Sequence, residues 1–301
     1  MEQLLHAPPR LTALYAAALA RSAKPGRSRE AGSLRLPTDR HRLDGVTAVP
    51  EKVREFQHLM RSPQTAFLPS GYLHILAFPV AVSVLARPDF PLPLLGMIHL
   101  RNEVQHLRPV PTDARLSVVA GVENLRPHRS GTQVDVVVEV EAAGVPVWTG
   151  RSTYLAKGIQ ASSTLSAPST PAEPGRDEGL PAFPTGEWPL SADTGRRYAA
   201  VSGDYNPIHL GVPSARLLGM KRPIAHGMYL ASRMVAEAGP GEDAGFRWTV
   251  EFRTPVPLPS KILLSAQVDR SDSAKWHGAE VVAWDPRRRR AHFVGRLEAL
   301  G

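Results

Sequence analysis

The chain has 301 residues, 43% hydrophobic and 21% charged, which suits two globular domains and is too apolar for a disordered polymer. Its 36 Lys and Arg against 28 Asp and Glu leave a net charge of +8, favouring anionic partners; the lack of cysteine excludes disulfides, thiolate metal sites, iron–sulfur clusters and a cysteine nucleophile. No run approaches the ~18 uninterrupted apolar residues of a membrane-spanning helix, so a cytoplasmic protein is expected.

Leu11 to Ala20 form an apolar run behind Arg10 that ends in Ala18, Leu19 and Ala20, a pattern secretory signals share. Glu2 and the Pro8–Pro9 pair ahead of it favour a short amphipathic helix packed on the fold. Residues 21–45 are basic and loop-like, with Lys24, Pro25, Gly26, Arg27, Arg29 and Arg35, and the first 45 residues are read as a leading segment.

Residues 46–157 then form one unit. An apolar helix is predicted over Leu73 to Arg87, with its start moved behind Pro79 because a mid-helix proline removes a hydrogen bond. Strands come next, near 97–107, 115–124, 132–141 and 145–156, where apolar and polar residues alternate between turn residues. Residues 158–186 are rich in Ser, Pro, Gly and Ala and read as a linker. In the second unit, 187–301, a helical run covers Thr194 to Ser202 and a longer helix His226 to Ala238, stopped by Gly239, Pro240 and Gly241. Its strands are placed at 246–254, 261–270, 278–285 and 290–299.

Sliding the first half forward by 146 positions lays Pro109, Val110 and Pro111 on Pro255, Val256 and Pro257, and Val104, Leu116 and Val118 on Val250, Ile262 and Leu264. The expected fold is α+β: a double hot-dog, two long helices each wrapped by a curved antiparallel sheet, the two sheets joined edge to edge.

The chemistry concentrates in YAAVSGDYNPIHL (198–210) and IAHGM (224–228). Gly203 ends the preceding helix and Pro207 prevents a new helix from absorbing the next residues, so Asp204, Asn206 and His209 sit on a rigid loop. A carboxylate and an imidazole around such a turn can converge on one water, as general acid–base chemistry requires, with Asn206 able to donate and accept. Taken singly, Asp204 and Asn206 read as an Asx turn and His209 as a surface histidine. Gly227 opens the second long helix, where its backbone N–H can act as an oxyanion donor to a thioester carbonyl. His226 reads as a packed or capping residue, and a metal triad of Asp204, His209 and His226 is the weaker alternative. Arg287 to Arg290 read as a solvated hairpin turn rather than a nucleic-acid patch, and Lys221, Arg222 and Arg253 as candidates for pairing with phosphate.

These two segments resemble the signature of the MaoC-like family, the (R)-specific enoyl-thioester hydratases, and the whole layout is similar to the actinobacterial double hot-dog 3-hydroxyacyl-thioester dehydratases. The resemblance implies reversible syn addition of water to a trans-2-enoyl thioester in fatty-acid metabolism. It assigns Asp204 and His209 as the dyad, Asn206 as the water-orienting group and Gly227 as the oxyanion donor. It implies no metal and no cofactor beyond the substrate's own coenzyme A or acyl carrier protein, no nucleic-acid or integral-membrane partner, and a monomeric pseudo-dimer or a homodimer. The first half departs from the pattern: under the same shift His58 falls opposite Asp204 and Pro63 opposite His209, so no acid–base pair survives there. In the family this half resembles a scaffold that makes room for the acyl chain, which makes Leu73 to Val84 a candidate tunnel lining or ordinary core. The alternatives are a hot-dog thioesterase and a non-catalytic acyl-thioester-binding subunit.

Overall fold

The computed structural model describes residues 1–22, 34–160, 180–241, 245–270 and 275–301. Most of the basic stretch, including Lys24 to Arg29, and residues 161–179 of the expected linker lie outside the described residues.

The first repeat consists of β2 (Arg40–Val46), α2 (Pro50–Met60), α3 (Ser70–Leu85), β3 (Ile98–His106), β4 (Leu116–His128), β5 (Gly131–Ala142) and β6 (Val145–Lys157). It is preceded by β1 (Glu2–Leu5) and α1 (Leu11–Ser22). The second contains β7 (Gly186–Leu190), α4 (Thr194–Ser202), a 3₁₀ turn (Pro207–His209), α5 (Val212–Leu217), α6 (Gly227–Ala238), β8 (Phe246–Phe252), β9 (Ser260–Asp269), β10 (Gly278–Asp285) and β11 (Arg290–Ala299).

Among the described residues, the eleven strands make one sheet in the order β1-β2-β4-β5-β6-β3-β8-β11-β10-β9-β7, so the two repeats show the same strand order in mirror sequence. They meet where β3 and β8 pair antiparallel, Glu103 opposite Thr249 and Val104 opposite Trp248. That seam removes the open edge each repeat would otherwise expose. The double hot-dog is therefore present, with one correction: each repeat has a further short outer strand, β2 or β7, that apolar alternation does not betray.

α3 and α6 lie under the sheet and cross closely. A Cβ on Gly71 would come within 2.2 Å of the Ser232 hydroxyl, so glycine is what permits this approach. Trp148 and Trp248, both fully buried, donate their indole N–H groups to the Ser70 hydroxyl at 3.0 and 2.9 Å. Each indole would otherwise cost about 1–3 kcal/mol as an unsatisfied buried donor.

α3 does not start behind Pro79 as expected. It runs from Ser70 through Pro79 to Leu85, because nearly every residue along it is buried and packing outweighs the one missing hydrogen bond. The structure also shows why the first half carries no dyad. Between α2 and α3 there is only the short link 61–69, whereas 203–226 separate α4 from α6. His58 lies within α2 and Pro63 in that link. The equivalent bridges Phe67–Pro111 and Ile224–Pro257 fasten the two central helices to their sheets in the same way. No helix among the described residues is long and apolar enough to cross a membrane.

Candidate active site

The sequence builds the site from a sharp stop and a sharp start. α4 ends on Gly203, whose φ of 74° is left-handed, while its N–H still donates to Ala199. The chain leaves the helix at once, and Pro207 begins the 3₁₀ turn that carries His209. A Cβ on Gly195, in the first turn of α4, would lie 2.1 Å from the His209 carbonyl oxygen, so the turn seats directly on that helix.

On this loop the Asp204 carboxylate is held from one side. Its Oδ1 accepts from the Asn206 N–H at 3.2 Å and from the hydroxyl of Tyr15 in α1 at 2.9 Å. Its Oδ2 lies 3.9 Å from His226 Nε2. His209 Nδ1 donates to the Ile224 carbonyl at 2.8 Å, which fixes the tautomer and leaves Nε2 with the lone pair. The His209 and His226 rings stack with centroids 3.7 Å apart. Asn206 places its side-chain oxygen 3.4 Å from the Ile208 N–H, where it caps the 3₁₀ turn, and keeps its amide nitrogen as a donor.

Asp204, His209 and His226 each offer a ligand atom within 4.8 Å of the others. His226 is buried, donates from Nε2 to the Asp204 carbonyl at 3.0 Å and packs against Tyr198, so it is tied into the protein rather than turned to a ligand. It also precedes Gly227, the first residue of α6, whose N–H has no partner within that helix. A Cβ on Gly227 would sit 3.1–3.4 Å from the ring of Phe252, tight against the wall beside this donor.

Burial dominates the electrostatics. It raises the Asp204 carboxyl above its ordinary value, against the pull of His209, the Tyr15 hydroxyl and the Asn206 amide. It lowers His209 despite the Asp204 charge, and lowers His226 further with the help of His209. A carboxyl that takes a proton more readily thus faces an imidazole that gives its own up more readily, the poise a proton-exchanging pair needs. The phenols of Tyr15, Tyr154 and Tyr198 are all raised by burial and then by the Asp204 charge. Tyr154 belongs to β6, so the first repeat supplies part of the wall around a carboxylate carried by the second.

Sequence reasoning passed over Tyr15, Tyr154 and Gly195. None belongs to a motif, and each acts through a contact between segments far apart in the chain. The cationic residues stand apart from the pair: Lys221 and Arg222 are exposed ahead of α6, and Arg253 pairs with Glu251. Arg287 and Arg288 donate their backbone N–H groups to Asp285 in the β10–β11 turn, a hairpin as expected.

Residues 182–283 match the family described as the MaoC like domain. Over 193 residues the chain is 35% identical to 3-hydroxyacyl-thioester dehydratase X of Mycobacterium tuberculosis, spanning 64% of this chain and 67% of that protein. The chain belongs to the MaoC-like family. A crystal structure of the same relative, HtdX, superposes with a TM-score of 0.71 at 27% identity, covering 87% of this MaoC-like chain and 100% of that one. A shorter similarity, 34% over 77 residues, links 25% of the chain to 46% of the mitochondrial 3-hydroxyacyl-[acyl-carrier-protein] dehydratase of Arabidopsis thaliana. The segment of MaoC-like match contains Asp204, Asn206, His209 and Gly227.

Proposed function

We propose that this protein is a 3-hydroxyacyl-thioester dehydratase of fatty-acid metabolism, acting reversibly as an (R)-specific enoyl-thioester hydratase, with Asp204 and His209 as its acid–base dyad. The observation that carries the reading is the convergence of those two side chains, from one rigid loop, beside the N-terminus of α6. The dehydratase names of its relatives support the same reaction class.

In the hydration direction a water sits between the dyad, oriented by the Asn206 amide. Unprotonated His209 Nε2 takes one proton as the water oxygen bonds to C3 of the enoyl chain. The protonated Asp204 carboxyl delivers a proton to C2, and the negative charge that builds on the thioester oxygen meanwhile is held by the Gly227 N–H. An imidazolium and a carboxylate remain, and return of the proton from His209 to Asp204 restores the pair. Both groups belong to one loop and address one face of the substrate, so oxygen and proton add syn. No metal and no separate cofactor takes part; the substrate brings coenzyme A or an acyl carrier protein. The acyl chain runs into the first repeat, where His74, Ala77, Phe78, Ala81, Val82 and Leu85 of α3 face Val136, Val138, Ser152 and Tyr154 around a small cavity. The opposite face of α3, with Leu73, Val80 and Val84, is packed core.

The test is hydration of crotonyl-CoA by the purified protein, with chiral analysis of the product. Asp204→Asn and His209→Ala should each slow turnover by roughly 100-fold or more while the fold persists. Wild-type activity in both variants, or release of free thiol in place of hydration, would overturn the proposal.

A further inference from the structure

Among the described residues, the side chains that hydrogen-bond or stack on Asp204, His209 and His226 come from the two hot-dog repeats, except Tyr15. α1 precedes the first repeat and has no counterpart in the second among the described residues. The segment is nevertheless firmly placed. β1 runs parallel to β2 from Glu2–Arg40 to Leu5–Leu43, and the terminal amino group pairs with Asp39 at 3.2 Å. From that outer edge α1 turns toward the second repeat. Leu11, Tyr15 and Ala18 share one helical face; Leu11 and Ala18 are buried, and Leu11 Cδ1 lies 3.9 Å from where a Cβ on Gly203 would be. The helix is therefore packed against the corner that presents Asp204, and Tyr15 sits between its two buried anchors.

We propose that Tyr15 is a positioning residue of the dehydratase site: its hydroxyl, delivered by α1, clamps Oδ1 of Asp204 so that Oδ2 is the oxygen that faces the water and exchanges the proton with C2 of the substrate. The inference rests on the reading given under Proposed function. Two donors, the Tyr15 hydroxyl and the Asn206 N–H, converge on the same oxygen, while Oδ2 is the one on the histidine side. A carboxylate with one oxygen doubly bonded cannot swing about its last torsion, and a proton it carries is confined to the other oxygen. The remaining ionisable groups around it are Tyr154 of β6, Tyr198 of α4, His209 of the 3₁₀ turn and His226 at the head of α6. Among the Asp204 contacts, Tyr15 is the strongest candidate for a purely orienting role, because its own phenol is held protonated by burial beside the carboxylate.

Tyr15→Phe keeps the ring and the packing of α1 and removes only the hydroxyl. kcat should fall about 10–100-fold, the usual effect of losing a group that orients a functional one, with KM within about twofold. Because the Tyr15 bond favours the ionised carboxylate and hydration needs Asp204 protonated, the alkaline limb of the hydration pH–rate profile should move to higher pH. The substrate-free Asp204 carboxyl, followed by carbon-13 NMR and assigned with Asp204→Asn, should shift its titration the same way. Thr12→Ala, on the exposed face of α1, should change neither. Wild-type kcat and an unmoved limb in Tyr15→Phe would overturn the clamp and leave the dehydratase reading standing. So would a lower kcat with the carboxyl titration unmoved, since that is how a merely structural residue behaves. A wild-type protein that hydrates no enoyl thioester, yet whose carboxyl titration moves in Tyr15→Phe, would overturn the dehydratase reading and leave the clamp.

Discussion

His226 donates from Nε2 to the main-chain carbonyl of Asp204 at 3.0 Å, so the residue just before Gly227, the first of α6, also fastens the loop that carries the carboxylate. The Asp204 loop and the head of α6 are thereby held in register by one imidazole. Its Nδ1 is buried without a hydrogen-bond partner and its pKa is lowered well below 6.5 by burial, so it stays neutral and keeps the Nε2 proton for this bond. His226→Ala should remove the strap and the stacking surface under His209, costing about 2–3 kcal/mol in stability and at least tenfold in kcat. Denaturant titration and initial rates measured on the same preparation check both.

Gly227 allows its N–H to be removed without disturbing the helix. Proline is favoured at the first helical position, and His226, at φ −63° and ψ 135°, already has the backbone that precedes proline comfortably. Gly227→Ala adds only a Cβ against the Phe252 ring and serves as the steric control. Gly227→Pro adds that Cβ, closes Cγ and Cδ onto the nitrogen, and so deletes the donor. If the N–H is the oxyanion donor, Gly227→Pro should lose about 100–1000-fold in kcat beyond the alanine variant, as removal of such a donor does elsewhere. Equal rates in the two variants would leave the amide without that role.

How much of the molecule is legible in its sequence depends on the range of each interaction. The four core strands of each repeat and both central helices are written in local periodicity, and the loop of Asp204 and His209 in a local motif. β7 escaped because it is five residues long, contains Pro189 and buries only Trp188 and Leu190. α3 defied its proline because burial along its whole length overrides a local rule. Tyr15 escaped for a different reason: it is separated from Asp204 by 189 positions, and nothing near it in the sequence distinguishes a helix that packs from one that reaches a carboxylate.

The cavity between α3 and β5 is narrowed by side chains that face it from the helix, Ala77 and Ala81 among them. If acyl chains enter there, Ala81→Leu should leave crotonyl-CoA hydration within about twofold and depress turnover of long-chain substrates tenfold or more. The size reflects overpacking, which costs about 1–3 kcal/mol where extra methylenes meet a filled space. A ladder of enoyl-CoA chain lengths supplies the measurement, and a uniform loss across the ladder would place the chain elsewhere.

Acid should unfold the protein because of its buried histidines. Burial lowers His74 to about 4, His106 to about 4 and His99, with some help from the His74 charge, to about 3. In the unfolded chain each returns to about 6.5. The folded form therefore has its full stability from these groups above pH ~6.5 and loses it as pH falls toward 4, where the unfolded chain binds protons that the folded one refuses. Each contributes a slope of about 1.4 kcal/mol per pH unit within that window, so the three together remove about 4 kcal/mol per unit, a large part of a typical 5–15 kcal/mol stability by pH 4. Asp204 has the opposite sign, since its raised carboxyl favours folding at low pH, but His209 and His226, lowered by burial as well, act with the other three against it. Guanidinium midpoints should fall steeply between pH 6.5 and 5, and His74→Leu should make the fall shallower. A midpoint that holds constant across that range would mean these histidines are protonated in the folded protein.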